Sequence, residues 1–547
     1  MRANKPALAP LKLILAAGLC VSALTACQTM PQTLAGIPVV GEIVAPPLAP
    51  TADLPPPAER TWPDAARDVL NQRARGYGLA HMPELQHYLD GLLTRIKARA
   101  GVPEWPGKVY ILATPALEAY ATAAGNIYLS PSWVSEAQSE DEIVALLSHE
   151  FGHAYLHYHQ LEGAVQDADQ VAQYAALGVA LAKKTGQATG WNQVDSLVTA
   201  YTMGRALTTA AWGRGQESAA DAFGLNLSLK LGYSYEHGMK VFLERLASWE
   251  ESNAERQAAL KAQLLEQVKQ EASAKALANQ RNTAGNPLSS ALAEPLSGLN
   301  AGIAGALFQS GEAAKGIIEA TTSTHPQILA RLDAVAKAAE SLPDDIANRE
   351  ATTDPLVRAQ KDKRTAALFK NYQLAAQVMV DPAAPEALKL ARQAASGPSA
   401  RHALPLLALY RAQQAQPATG KRRKDDTVAN LLDTNLKSEQ DRAWVVYMER
   451  STQLEASGQR KAATRLMDEG LAYFDQASDV WPQAIEFYGQ TAGWDQAKKM
   501  AQSCNGRFKS MAAACTSAAA TPQERAEQAR KSEEKSEQLV NKLFKKN

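Results

Sequence analysis

The chain has 547 residues, long enough for two or three domains with sizeable cores. Lysine plus arginine and aspartate plus glutamate both number 57, so the net charge is zero and no global basic field attracts nucleic acid. Frequent alanine, 6% aromatics and proline clustered outside the periodic stretches suit a mainly helical protein.

At the N-terminus, Arg2, Lys5 and Lys12 accompany an apolar run, Leu13 to Ala23, too short to span a bilayer as a mature helix. Leu24, Thr25, Ala26 and Cys27 follow, so residues 1–26 read as a signal peptide. Small residues before a cysteine resemble the bacterial lipobox, which implies acylation of Cys27 and stable membrane anchoring. An ordinary cleavage site with an incidental cysteine is the alternative. Gln28, where inner-membrane lipoproteins often carry aspartate, points to the outer membrane and the periplasm. Residues 27–61, with APPLAP and LPPPAE, are rich in proline and read as a tether, able to reach roughly 100 Å when extended.

From Trp62 the pattern becomes periodic. Leu85, Tyr88, Leu89, Leu92, Leu93 and Ile96 recur at helical spacing until Gly101 and Pro103 end the run. Lys108 to Thr114 (KVYILAT) predicts a short buried strand, and Gly125 to Ser130 (GNIYLS) a second with alternating faces. Ser139 and Glu142 form a capping-box signature for the next helix, which buries Ile143, Leu146, Leu147, Phe151 and Leu156. Helices are expected over 166–184 and 195–212, and residues 250–300 read as a charged helical insertion with a loop.

The stretch LLSHEFGHAYLHYH holds four of the nine histidines. His149 and His153 lie four residues apart, so on a helix both rings leave one face, one turn apart, close enough to share one zinc ion. Glu150 completes HExxH, in which the glutamate takes a proton from the attacking water. A tetrahedral catalytic site needs one more protein ligand. Glu217 in QESAAD supplies it in this reading, with Asp221, four residues later, fixing the tautomer of a ligand histidine. Alone, both would read as surface charges; after HExxH they read as site residues, with Gly224 allowing close helix packing. His157 and His159 read as polar-face residues or as supports for the metal ligands, and His81, His87, His237 and His402 as surface or satisfied-core residues.

These motifs resemble the HtpX-like and Ste24-like family of zinc metallopeptidases, gluzincins with HExxH and a later ExxxD. EAYATAAGNIYLSPSW resembles the segment NAFAxPGGxIxVxxGL, although Glu118 replaces Asn and Ala124 with Gly125 replaces the Gly pair. ESAADAFGLNLSLKLGYSYEHGMKVFLERL resembles the family's metal-glutamate helix and its sequel, and SxHPxxxxR is present as Ser323, His325, Pro326 and Arg331. The likeness covers about residues 65–340 and implies a zinc-dependent endopeptidase with one Zn²⁺ per chain, acting on membrane-associated or misfolded proteins. His325, in the matched segment, is expected near the metal, as a plug in the fourth position or a stabiliser of the oxyanion, an interdomain packing role being the alternative. GNIYLS is expected to offer an edge strand to extended substrates.

Beyond Leu342 every periodic segment looks helical. SGQRKAATRLMDEGLAYF and TAGWDQAKKMAQSC align at an offset of 35 residues, Gly458 to Gly493, close to tetratricopeptide spacing; a plain helical bundle is the alternative. KRRKDD, at 421–426, reads as a solvated loop and the last 26 residues as a charged helix or frayed tail. Cys504 and Cys515 are the only cysteines left in the mature chain and are expected to pair in an oxidising compartment, two buried thiols being the alternative. The expected fold is mainly α: an α+β zincin-type peptidase domain with a small sheet over 62–345, then an α-helical repeat region over 346–547. The arrangement resembles the BepA-type periplasmic metallopeptidases. That resemblance implies a lipid-anchored protease of unfolded or misassembled envelope proteins, whose repeats contact outer-membrane assembly machinery. The competing reading is a chaperone or assembly factor with a latent or structural zinc site.

Overall fold

The computed structural model describes residues 49–57, 64–156, 214–252, 325–415, 426–508, 511–524 and 527. Readings that concern Cys27, His157, His159, Ser323, the helices over 166–184 and 195–212, the insertion from 253 and most of KRRKDD lie outside them. The described residues all belong to one compact unit, 46–547.

The fold is mostly helical with one small sheet. Helix α1 (Ala65–Arg73) starts where the Asp64 carboxylate accepts the amides of Ala66 and Arg67, the usual device for orphaned first-turn donors. Helix α2 (Pro83–Arg99) buries Leu85, Leu89, Leu92, Leu93 and Ile96 as its spacing predicts. Strands β1 (Val109–Ile111), β2 (Ala119–Ala121) and β3 (Ile127–Leu129) follow. Strand β3 lies in the middle, parallel to β1 and antiparallel to β2.

This order corrects the expectation that GNIYLS forms the edge. Gly125, at φ +79°, lets Thr122 and Asn126 close a hairpin, in which the Thr122 amide donates to the Asn126 carbonyl at 2.9 Å. The hairpin brings β2 onto one side of β3, and β1 occupies the other. Among the described residues, the unpaired edge next to the helix carrying HExxH is therefore β2.

After the short helix α3 (Pro131–Ser135) comes α4 (Glu140–Leu156), whose residues 140–155 are all buried. The Glu142 amide donates to Ser139 Oγ at 3.2 Å, while the Glu142 carboxylate accepts from the amide of Gln138, one residue earlier than a symmetric capping box. Its first turn is held by three acids. Glu140 accepts from Tyr88 (2.8 Å), Arg95 (2.8 Å) and Tyr233 (2.5 Å); Asp141 accepts the amides of Ser234 and Thr352, each at 2.7 Å; and Glu142 pairs with Arg245 at 2.5 Å. Carboxylates also suit a helix N-terminus, where the backbone amides point outward.

Helix α5 (Arg214–Lys230) packs on α4, and a helix over 239–252 covers the pair. Helix α6 (His325–Ala339) crosses α5. Helices α7 (Asp354–Lys361), α8 (Lys363–Val380), α9 (Ala387–Ala394) and α10 (Ala403–Ala415) continue the same core, which runs from Ala80 to Ala412 and so takes in helices on both sides of residue 345.

A second core takes in Ala74 and one face of α10 and gathers α11 (Asp426–Leu436), α12 (Trp444–Ala456), α13 (Arg460–Tyr473), α14 (Val480–Thr491), α15 (Trp494–Arg507) and α16 (Ala512–Ala518). Gly458 joins α12 to α13 at φ +81°, and Gly493 joins α14 to α15 at φ +104°. The two aligned glycines thus serve equivalent turns where residues with a Cβ are strained. Cys504 and Cys515 are bonded to each other, tying α15 to α16.

Part of the expected tether is docked instead. The buried Asn226 amide donates to the carbonyls of Ala49 (2.9 Å) and Ala52 (2.8 Å), Lys230 donates to Ala52 (2.5 Å), and Tyr155 donates to the Pro55 carbonyl (2.9 Å). Proline removes backbone donors but leaves acceptors, which these side chains on α4 and α5 satisfy. Among the described residues no helix is long and apolar enough to cross a membrane.

Candidate metal centre

Helices α4 and α5 approach almost backbone to backbone. A Cβ on Gly224 would lie 3.0 Å from the amide nitrogen of His149 and 3.1 Å from its Cα, and one on Gly152 would meet the Phe223 ring at 3.0 Å. This close crossing places Glu217, two turns before Gly224, opposite the histidine pair.

His149 Nε2 and His153 Nε2 are 3.2 Å apart. The Glu217 carboxylate presents Oε2 at 3.6 Å from the first and Oε1 at 3.5 Å from the second. A tetrahedral zinc ion with bonds of about 2.0 to 2.1 Å needs its ligand atoms roughly 3.3 to 3.4 Å apart. The donor set fits that ion, and all three residues are buried. Glu150, the neighbour of His149, is buried with them.

The supporting residues fix both chemistry and orientation. His149 Nδ1 lies 2.9 Å from Asp221 Oδ1, so the aspartate holds the proton on that nitrogen and leaves Nε2 as the donor atom. Arg331 from α6 joins both carboxylates: its Nε and Nη2 contact Asp221 at 2.7 and 2.8 Å, and its Nη1 contacts Glu217 Oε2 at 2.8 Å. Burial opposes charge on Asp221, but the Arg331 guanidinium outweighs it and holds the carboxyl well below its ordinary pKa. Burial likewise disfavours protonated His149, yet Asp221, Glu217 and Glu150 together raise its pKa. A divalent cation would take up the negative charge that now draws a proton to that ring.

The structure therefore brings together His149, His153, Glu217, Asp221 and Glu150. His325 opens α6, but its side chain lies outside the described residues. Of the remaining histidines, His87 and His237 are exposed, His81 is half-buried, and His402 is buried with its Nδ1 3.1 Å from the Tyr372 hydroxyl. The role of Arg331 escaped the sequence reading, although a signal was present: it falls on the apolar stripe of α6 with Ile328, Leu332 and Val335, where a lone charge implies a buried partner.

The family model for peptidase family M48 matches residues 83–339, a span that contains every residue of this centre. The match supports an M48 metallopeptidase, and M48 peptidases are zinc-dependent. No curated protein matches the chain.

Proposed function

We propose that this protein is a zinc-dependent endopeptidase, lipid-anchored through Cys27 to the bacterial outer membrane and facing the periplasm, that hydrolyses unfolded or misassembled envelope proteins. The observation that supports it most is the set of three buried ligand atoms at tetrahedral spacing, oriented by Asp221 and Arg331 and sited within the M48 match.

Zinc held by His149, His153 and Glu217 would supply Lewis acidity and a water acidified toward neutral pH. Glu150 accepts the proton of the attacking water and passes it to the leaving amine. Asp221 keeps the His149 ring in the tautomer and orientation that ligation requires. Strand β2 aligns the substrate. In its register with β3, residues 118, 120 and 122 turn their backbone groups inward, so Ala119 and Ala121 turn theirs to the outer edge. An extended segment can pair there by strand addition, which selects unfolded chains. His325, at the start of α6, plugs the fourth zinc position at rest or stabilises the oxyanion; His325→Ala is expected to change the cleavage rate with zinc retained. The helix pairs around Gly458 and Gly493, read as tetratricopeptide-like, recruit substrates or membrane assembly machinery.

The test is Glu150→Gln in the full chain. It should keep one zinc per chain and lose cleavage of an unfolded protein by about 10² to 10⁴-fold. Full activity in that variant would refute the assignment, and complete rescue of an envelope defect by a cleavage-dead protein would favour the chaperone role.

A further inference from the structure

Helix α1 is a wedge with two occupied faces. Toward the sheet, Asp68 Oδ2 accepts from Thr122 Oγ1 (2.8 Å), Asn126 Nδ2 (2.7 Å) and the Tyr128 hydroxyl (2.7 Å), while Gln72 Oε1 accepts the Tyr120 hydroxyl at 2.6 Å. Tyr110, Tyr128 and Tyr120, one from each strand, stack beneath it with ring centroids 5.4 and 5.3 Å apart. Toward the helical region, Leu70 and Ala74 enter the second core. Arg73 donates to the Glu439 carbonyl at 2.5 Å, and just past the helix Arg75 pairs with Asp479 at 2.6 Å, with side chains 6% and 16% exposed.

These contacts exceed what covering the sheet requires. Val69 supplies apolar cover, yet α1 also reaches Tyr120, Thr122 and Asn126 through the polar side chains of Gln72 and Asp68, and Gln72 is itself 2% exposed. A buried bond of this kind fixes one strand position, because any shift leaves a buried oxygen or hydroxyl unpaired. The Arg75–Asp479 ion pair ties the other end of the segment to the second core.

We propose that Gln72 and Asp68 are positioning residues for the substrate-pairing strand, and that the helical region sets the position of β2 through α1. The idea rests on the reading of β2 as the strand that receives substrate.

The test uses full-length Glu150→Gln protein loaded with zinc, so that binding is read without turnover. A fluorescein-labelled, reduced and alkylated unfolded protein serves as the probe, and hydrogen exchange is followed at the Tyr120 and Thr122 amides. Tyr120→Phe, Gln72→Leu and Asp479→Asn are each expected to speed exchange at β2 and weaken probe binding roughly fivefold, with zinc content unchanged. Gln72→Leu combined with Tyr120→Phe should be no worse than either alone, because both remove one bond. A merely structural role would lower Tm while leaving both readouts of the folded protein unchanged, and that result overturns the proposal. A change in exchange without a change in affinity, or the reverse, overturns it equally. If the parent protein binds no probe while exchange still responds, the substrate role of β2 is what fails, and the positioning role falls with it.

Discussion

At the scale of single residues, the metal centre depends on a cation that is not a ligand. Arg331 neutralises Glu217 and Asp221 together, inside a space from which water is largely excluded. Arg331→Met should leave two buried carboxylates uncompensated, at a cost of about 3 to 5 kcal/mol in the metal-free protein. It should also lower zinc affinity by roughly 10 to 100-fold, as loss of a residue that orients ligands commonly does. Metal titration with competing chelators and denaturant unfolding without metal measure the two effects separately. His402 offers a test away from the metal. Burial pushes its pKa down to about 4, with His81 and Arg364 acting the same way and Asp441 opposing them. Between that value and about 6.5 the unfolded chain binds a proton that the folded chain refuses, so stability rises with pH in this window. Unfolding midpoints should therefore fall as pH is lowered from 6.5 toward 4, and His402→Phe should flatten part of that slope.

At the scale of elements, two helices define the centre and their separation is its adjustable dimension. Any side chain at position 224 enters space held by His149 and Met239, whose methyl carbon would lie 2.8 Å from a new Cβ. Gly224→Val should force α5 away from α4, cost about 1 to 3 kcal/mol, and move Glu217 out of reach of the two imidazoles. Zinc stoichiometry and Tm should fall together, whereas Gly91→Ala, with open space around its Cβ inside α2, should leave zinc content unchanged and raise Tm slightly. The sheet follows a similar logic. The departure at Ala124 does not remove the glycine that the turn needs, because Gly125 takes the positive φ. That angle closes the hairpin, and the hairpin makes β2 an edge among the described strands.

At the scale of the whole molecule, helices α4 and α5 are braced by a segment that precedes them in the chain. Residues 49–57 lie across α4 and α5 through Asn226, Lys230 and Tyr155, so a truncation that starts at residue 58 should lower Tm relative to one that starts at 49. Differential scanning calorimetry of the two truncated proteins decides this. At the far end, Cys504→Ser opens the loop between α15 and α16 and should cost roughly 2 to 3 kcal/mol in the loop-entropy model. Zinc content should be unaffected, since that disulfide belongs to the second core.

What the sequence determined by itself was local. The spacing of His149 and His153, the acid beside them, the apolar period of α2 and the glycines that end α12 and α14 are set within one or two helical turns, where residue type and backbone geometry suffice. Glu217 and Asp221 were legible because their spacing on one helix matched the partner chemistry that two imidazoles demand. Tertiary structure alone decided which described strand lies at the edge, that Arg331 joins the two carboxylates, that α1 spans sheet and helical region, and that residues 49–57 are docked. Each depends on groups distant in the chain meeting out of water. Such a meeting is governed by burial and charge compensation, for which local spacing holds no record.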